Sequence, residues 1–200
     1  MSNMPGETLE LQHGALELDL PDNAKKLLSA IKTAVKSEKP DLRTESNEKW
    51  YQYRTFPECE ALLEEILKDK LKDIIELLSR WNLKPAAENI SIPKVFRFSD
   101  NGNAGLYVKE GFVGLAVSLH DSVEIVISSG SEPVYYIWRP ETILLLKPET
   151  RICRTNKNKQ QNSCKEGTGR SEEDPGTSEE GEFSKRRLVV FFTMFKSQTE

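Results

Sequence analysis

The sequence predicts an α+β fold, in which one antiparallel β-sheet of six to eight strands packs against one long and one shorter N-terminal amphipathic helix. Two observations predict it. Apolar residues recur at helical spacing as far as Trp81, and from Ile92 onward they alternate at a period of two. Because the helices precede the strands instead of alternating with them, a parallel sheet of βαβ units is not expected.

Both helices have clear boundaries in the sequence. The shorter one follows Pro21 and stops before Pro40. The longer one, from Phe56 to Trp81, begins at a capping box formed by Thr55 and Glu58, with a proline in its first turn. Its apolar stripe is wide enough to pack on a sheet, and comprises Leu63, Leu67, Leu71, Ile74, Leu78 and Trp81.

The predicted strands lie between turn-rich segments. They are KVFRFS (94–99), LYVKE (106–110), FVGLAVSL (112–119) and SVEIVIS (122–128). The stretch VYYIWRPETILLLKP (134–148) reads as two strands around a corner at Pro140, since proline cannot donate a ladder hydrogen bond. RLVVFFTMF (187–195) is predicted to return to the sheet as its last strand.

The chain divides into three regions. Residues 1–20 are predicted to be a flexible N-terminus, apart from one short strand at LELDL (16–20). Residues 21–154 and 186–196 are predicted to form a single α+β domain. Residues 155–185 hold almost no apolar side chain, so they predict a disordered charged loop. Within that loop, Ser171 and Ser178 precede acidic residues and resemble kinase sites, which predicts a phosphoprotein.

Composition excludes several classes of function. The formal net charge is −4 and the sequence pI is about 5.5, which argues against a general binder of nucleic acid or anionic membranes. No signal peptide and no run of about 18 apolar residues is present, so the protein is expected inside the cell, in the nucleus or the cytoplasm. Three scattered cysteines and two histidines predict no disulfide framework and no metal site, and no motif predicts a cofactor.

Two groups of residues are candidates for binding a partner. Tyr135 and Arg139 alternate onto one face of a predicted strand and are expected on an outer surface. Trp50, Tyr51 and Tyr53 lie in KWYQYRTF (49–56), a mixture of rings and cations that can stack bases and hold phosphates. The same rings are also the kind that pack over a neighbouring helix.

No catalytic constellation is evident in the sequence. His120 lies beside Asp121, which could orient it as a base, and Cys153 lies between two arginines that favour a thiolate. Neither has a recognisable partner. The sequence therefore predicts a non-catalytic intracellular protein-interaction module, a subunit or adaptor of a larger complex with protein partners. An enzyme of unrecognised type that uses His120 or Cys153 is a further alternative.

The C-terminal string starting at Lys185 suggests another alternative. Leu188, Phe191 and Phe192 have the spacing of the PIP box, and the string resembles that motif, by which replication and repair proteins dock on the sliding clamp. It departs from the motif at Lys185, where the family has glutamine. The resemblance implies a nuclear DNA repair or replication factor that binds the clamp, or nucleic acid through KWYQYRTF. In that case the three apolar side chains must be exposed.

Overall fold

The computed structural model describes Glu10–Leu11 and residues 14–45, 48–98, 105–130, 133–155 and 188–199. Its two helices are α1, Asp22–Ser37, and α2, Pro57–Ser79. Both lie where the sequence predicts them, and Pro57 occupies the first turn of α2. Neither helix, nor any other in the described ranges, is long and apolar enough to cross a membrane.

The described residues also form thirteen strands, more than the six to eight predicted. They are β1 (Glu10–Leu11), β2 (Ala15–Asp19), β3 (Asp41–Glu45), β4 (Glu48–Gln52), β5 (Leu83–Ile90), β6 (Lys94–Phe98), β7 (Leu106–Tyr107), β8 (Phe112–Ser118), β9 (Val123–Ser128), β10 (Val134–Trp138), β11 (Thr142–Leu146), β12 (Arg151–Arg154) and β13 (Leu188–Thr199).

The strands form two sheets, whereas the sequence predicted one. The large sheet has nine strands, ordered β1-β2-β11-β8-β13-β6-β4-β3, with β5 also paired to β13. The small sheet has four, ordered β10-β9-β12-β7. All the strand pairings among the described residues are antiparallel, as predicted.

From β6 onward the chain passes back and forth between the two sheets. Strands β6, β8, β11 and β13 lie in the large sheet, and β7, β9, β10 and β12 lie in the small one. Only β9 and β10 follow each other within one sheet. Eight antiparallel strands that alternate in this way between two facing sheets form a jelly roll. The fold is thus α+β and rich in sheet, with a jelly roll at its centre.

Apolar side chains fill two layers. One core lies between the large sheet and the helices, and joins residues such as Leu28, Ile66 and Phe191. The other lies between the two sheets, and joins residues such as Ile125, Trp138 and Phe192. Neighbouring residues of β13 therefore enter different cores, as strand geometry requires.

Three segments show how the sequence builds this arrangement. The corner at Pro140 carries the chain from β10 in the small sheet to β11 in the large one, and Glu141 takes a left-handed φ of 55° there. The short strand predicted at residues 16–20 corresponds to β2, Ala15–Asp19, which pairs along β11 and so belongs to the large sheet. RLVVFFTMF forms most of β13, which confirms the predicted last strand. The predicted disordered loop spans residues 155–185, of which all but Thr155 lie outside the described residues.

Candidate functional site

A buried carboxylate lies between the two sheets. The leucines at 16, 18 and 20 face the helices, so Glu17 points to the opposite side of β2, towards the small sheet. There it meets Tyr136 of β10 and Arg139, which follows that strand. We call Glu17, Tyr136 and Arg139 the carboxylate site.

The carboxylate site joins three charged or polar groups through short contacts. Tyr136 donates its hydroxyl proton to Glu17 Oε2. Arg139 Nε lies 3.2 Å from Oε1 and 3.3 Å from Oε2, and Nη2 lies 3.1 Å from Oε2. Nη2 also lies 3.8 Å from Asp19. The Glu17 side chain is 0% exposed, but that of Arg139 is 52% exposed, so the guanidinium links the buried carboxylate to solvent.

Burial and hydrogen bonding determine the protonation of Tyr136 and Arg139. Burial, followed by the hydrogen bond to Glu17, raises the pKa of the Tyr136 hydroxyl far above its ordinary value of 10.0. The hydrogen bond to Glu17 also raises the pKa of Arg139. At neutral pH Tyr136 is therefore a neutral hydrogen-bond donor and Arg139 is a cation.

The strand that carries Tyr136 also carries a fourth polar group, the indole of Trp138. Trp138 is two residues from Tyr136 on the same strand, so both rings face the space between the sheets. Trp138 is fully buried, and its indole Nε1 has no hydrogen-bond partner among the described residues. A buried donor without a partner is rare in native proteins and calls for an explanation.

Of the two binding candidates on β10, one belongs to the carboxylate site. Arg139, predicted on an outer surface, instead folds back onto Glu17. Tyr135 lies on the outer face of the small sheet and is 57% exposed, next to Ile137 at 60%. That Tyr135 and Arg139 bind a partner stays a prediction.

The other three candidates are Trp50 and Tyr51 of β4 and Tyr53, which follows that strand, and they do not share one surface. Tyr53 is 4% exposed and belongs to the core under the helices, so no partner can reach it. Trp50 packs against the core between the sheets. Tyr51 is half-buried and lies against Arg97, whose guanidinium carbon is 4.3 Å from the ring centroid. The structure does not bring this group together with Tyr135 and Arg139.

Sequence reasoning missed Glu17 and Tyr136. Alternation in LELDL assigns Glu17 to the face opposite three leucines, which in a lone sheet is the solvent face. Tyr136 gave the only signal, since a tyrosine on the inner face of a strand usually finds a hydrogen-bond partner for its hydroxyl. Without the second sheet, nothing connected the two residues.

His120 and Cys153, the two candidate catalytic residues of the enzyme alternative, lie within the strands and turns of the jelly roll. His120 Nε2 accepts a hydrogen bond from the backbone N–H of Val189 at 3.0 Å, so its lone pair is occupied. Its own backbone N–H donates to Ser118 Oγ. Cys153 lies half-buried in β12, opposite Val126.

Comparison with solved structures identifies the fold. No family model matches this chain. No curated protein matches it either. An oxidoreductase of the 2OG-Fe(II) oxygenase family from Burkholderia pseudomallei is similar over 92% of this chain and 85% of its own, with 11% identity and a TM-score of 0.50. Two other solved structures are less similar. A putative oxygenase from Shewanella oneidensis has 9% identity and a TM-score of 0.44, over 92% of this chain and 82% of its own. A Pseudomonas putida prolyl-4-hydroxylase has 9% identity and a TM-score of 0.42, over 94% of both chains.

The jelly roll is therefore of the kind found in the Burkholderia oxidoreductase. At 11% identity the likeness shows the fold alone. The prediction of a non-catalytic adaptor or complex subunit is corrected on this finding, since the Burkholderia protein that shares the fold is an oxidoreductase; the fold by itself assigns this chain no activity. The sliding-clamp alternative is also wrong: Leu188, Phe191 and Phe192 are all buried within β13, so they cannot insert into a clamp.

The described side chains do not provide the ligands of the Fe(II) site for which that family is named. A mononuclear Fe(II) centre of this kind takes two histidines and one carboxylate. The chain has two histidines, of which the structure describes only His120, and the Nε2 atom of that residue is occupied. No three metal-binding side chains converge in the described ranges. Apolar side chains such as Leu106, Val108 and Ile152 line much of the remaining inner face, and the hydroxyl groups of Ser118 and Thr142 are buried there beside them.

Proposed function

We propose that the protein is an enzyme that acts on small 2-oxo acids, with the carboxylate site as its active centre. The observation that carries the proposal is a fully buried carboxylate held jointly by a neutral tyrosine hydroxyl and by a half-exposed guanidinium. Titratable groups with strongly perturbed pKa values cluster at active sites. The oxidoreductase-like fold supports an enzyme, while the donor set of the described residues favours proton transfer over iron chemistry.

Arg139 is the group that would bind the substrate. Its Nε and Nη2 atoms contact Glu17, whereas Nη1 has no hydrogen-bond partner among the described residues. A guanidinium pairs well with a carboxylate because its N–H groups match the two oxygens. The carboxylate of a 2-oxo acid binds first to Nη1 and then replaces Glu17 on the guanidinium. This exchange of one carboxylate for another leaves the charge on Arg139 compensated.

The exchange prepares Glu17 and Tyr136 for chemistry. Once Arg139 moves to the substrate, the Glu17 oxygens are free to take a proton from the substrate carbon next to the keto group. The electron pair of that C–H bond becomes the enol double bond, and the negative charge moves to the keto oxygen. The neutral Tyr136 hydroxyl stabilises that oxygen by donating a hydrogen bond. Transfer of the proton from Glu17 to the keto oxygen gives the enol, and its return to the carbon restores the keto form, so the interconversion needs no cofactor.

Hydrogen exchange tests this function directly. In D₂O, the protein should accelerate the replacement of the C3 protons of 2-oxoglutarate, the molecule in the neighbour's family name, by deuterium, as followed by ¹H NMR. Glu17→Gln should abolish the acceleration because an amide cannot accept the proton. Arg80→Gln is the matched control, since Arg80 is an exposed arginine at the C-terminal end of α2 that pairs with Glu76 instead of Glu17.

The same sample distinguishes the proposal from iron chemistry. We expect added Fe(II) and O₂ to leave 2-oxoglutarate chemically intact apart from the exchange. Conversion of 2-oxoglutarate to succinate by the wild-type protein would show that residues outside the described ranges complete an iron site. Exchange at the uncatalysed rate with 2-oxoglutarate and pyruvate would contradict the proposal.

A further inference from the structure

We infer that the indole N–H of Trp138 is a hydrogen-bond donor reserved for the carboxylate of the bound 2-oxo acid. The inference rests on the proposed function and adds a positioning residue to it. Trp138 is 0% exposed, and Nε1 has no partner among the described residues. An unpaired buried donor destabilises the free protein, since its hydrogen bond to water is lost without replacement. A bound acceptor that restores the hydrogen bond therefore binds more tightly.

The position of Trp138 suits that role. It lies between two members of the carboxylate site in sequence, with Tyr136 on the same face of β10 about 7 Å away along the strand. It directly precedes Arg139, whose backbone carbonyl accepts a hydrogen bond from Thr142 Oγ1 at 2.9 Å. That contact holds the corner at which the substrate carboxylate would enter.

The chemistry of a 2-oxo acid matches these donors. The molecule has two carboxylate oxygens and a keto oxygen on adjacent carbons. Arg139 pairs with the carboxylate, Trp138 donates a further hydrogen bond to one of the two carboxylate oxygens, and Tyr136 binds the keto oxygen. The carboxylate charge is the same in the bound substrate and in the enol, so Trp138 contributes to binding rather than to the proton transfer itself.

NMR of the indole groups tests the inference without removing Trp138. Uniformly ¹⁵N-labelled protein gives one indole N–H signal for each of its three tryptophans. Trp50→Phe and Trp81→Phe assign two of them, and the third belongs to Trp138. Adding 2-oxoglutarate should shift the Trp138 signal and slow its exchange with water, while the other two signals stay in place.

Two outcomes would overturn the inference, and they separate it from the proposed function. If the protein catalyses deuterium exchange but the Trp138 signal does not move, Trp138 has no part in binding and the proposed function stands. If neither deuterium exchange nor a shift of any indole signal occurs, both the inference and the proposed function fail.

Steady-state kinetics of Trp138→Phe provide a second test. The substitution should raise the KM for 2-oxoglutarate about tenfold, which corresponds to a loss of about 1.4 kcal/mol of binding free energy, and should leave kcat almost unchanged.

Discussion

At the scale of single residues, Glu17 is the most informative position in the molecule. A buried ion is tolerated only when it is paired and hydrogen-bonded, and Glu17 receives both a hydroxyl and a guanidinium. The hydrogen bond between Tyr136 and Glu17 also connects the two sheets, since Glu17 belongs to the large sheet and Tyr136 to the small one. The carboxylate site therefore affects stability as well as the proposed function.

Loss of the guanidinium should destabilise the protein. Arg139→Leu leaves the Glu17 carboxylate buried with only the Tyr136 hydroxyl, and we expect it to lower the free energy of unfolding by about 2–3 kcal/mol. The half-exposed position of Arg139 keeps the effect below that of a fully buried pair. Urea denaturation measures it. Arg80→Leu, the control, should change the value by less than about 0.5 kcal/mol, and an equal effect of both substitutions would argue against a special role for Arg139.

The raised pKa of Tyr136 predicts a pH dependence at the alkaline side. The folded protein holds the hydroxyl proton more tightly than the unfolded chain, whose tyrosine pKa is near 10.0. The stabilisation from the protonated Tyr136 hydroxyl is therefore fully present below the tyrosine pKa of the unfolded chain. It is lost as the pH rises above that value towards the pKa of the folded protein. The stability difference between wild type and Tyr136→Phe should therefore shrink between about pH 8 and about pH 11. A difference that stays constant or grows over this range would contradict the assignment.

At the scale of elements, β13 organises the molecule. It pairs with β8, β6 and β5 within the large sheet. Phe191 of β13 enters the core under the helices, and Phe192 enters the core between the sheets. The sequence predicted this strand from its β-branched and aromatic residues, but only the second sheet explains why both faces are apolar.

Truncation within β13 should be severe. Phe191→Ala removes a ring that is 0% exposed, and we expect it to cost about 3–5 kcal/mol of stability. Tyr135→Ala, which removes a ring that is 57% exposed on the neighbouring sheet, should cost far less. Chemical denaturation of the two variants provides the comparison, and a Phe191→Ala curve that overlays wild type would contradict the position of β13 in the core.

At the scale of the whole molecule, local patterns predicted the elements but not their assembly. The positions of α2 and β13 followed from periodicity, because that signal lies within each segment. The division into two sheets did not, since the strands that pair most extensively, such as β13 with β8, are about 75 residues apart in sequence. Glu17 and Tyr136, 119 residues apart, meet only through that division. Short-range sequence patterns therefore could not predict the carboxylate site. They identified Arg139 as a candidate residue but not its contact with Glu17.

On the proposed function, Arg139 holds Glu17 in the free protein and a substrate carboxylate in the complex. Calorimetric titration with 2-oxoglutarate, without metal, tests it most directly. We predict binding to wild type and to Arg80→Gln with equal affinity, and binding to Arg139→Gln that is weaker by about 10- to 100-fold, as expected for a charge-assisted hydrogen bond worth about 1.5–3 kcal/mol. Equal affinity of wild type and Arg139→Gln, or no binding to wild type, would contradict the claim.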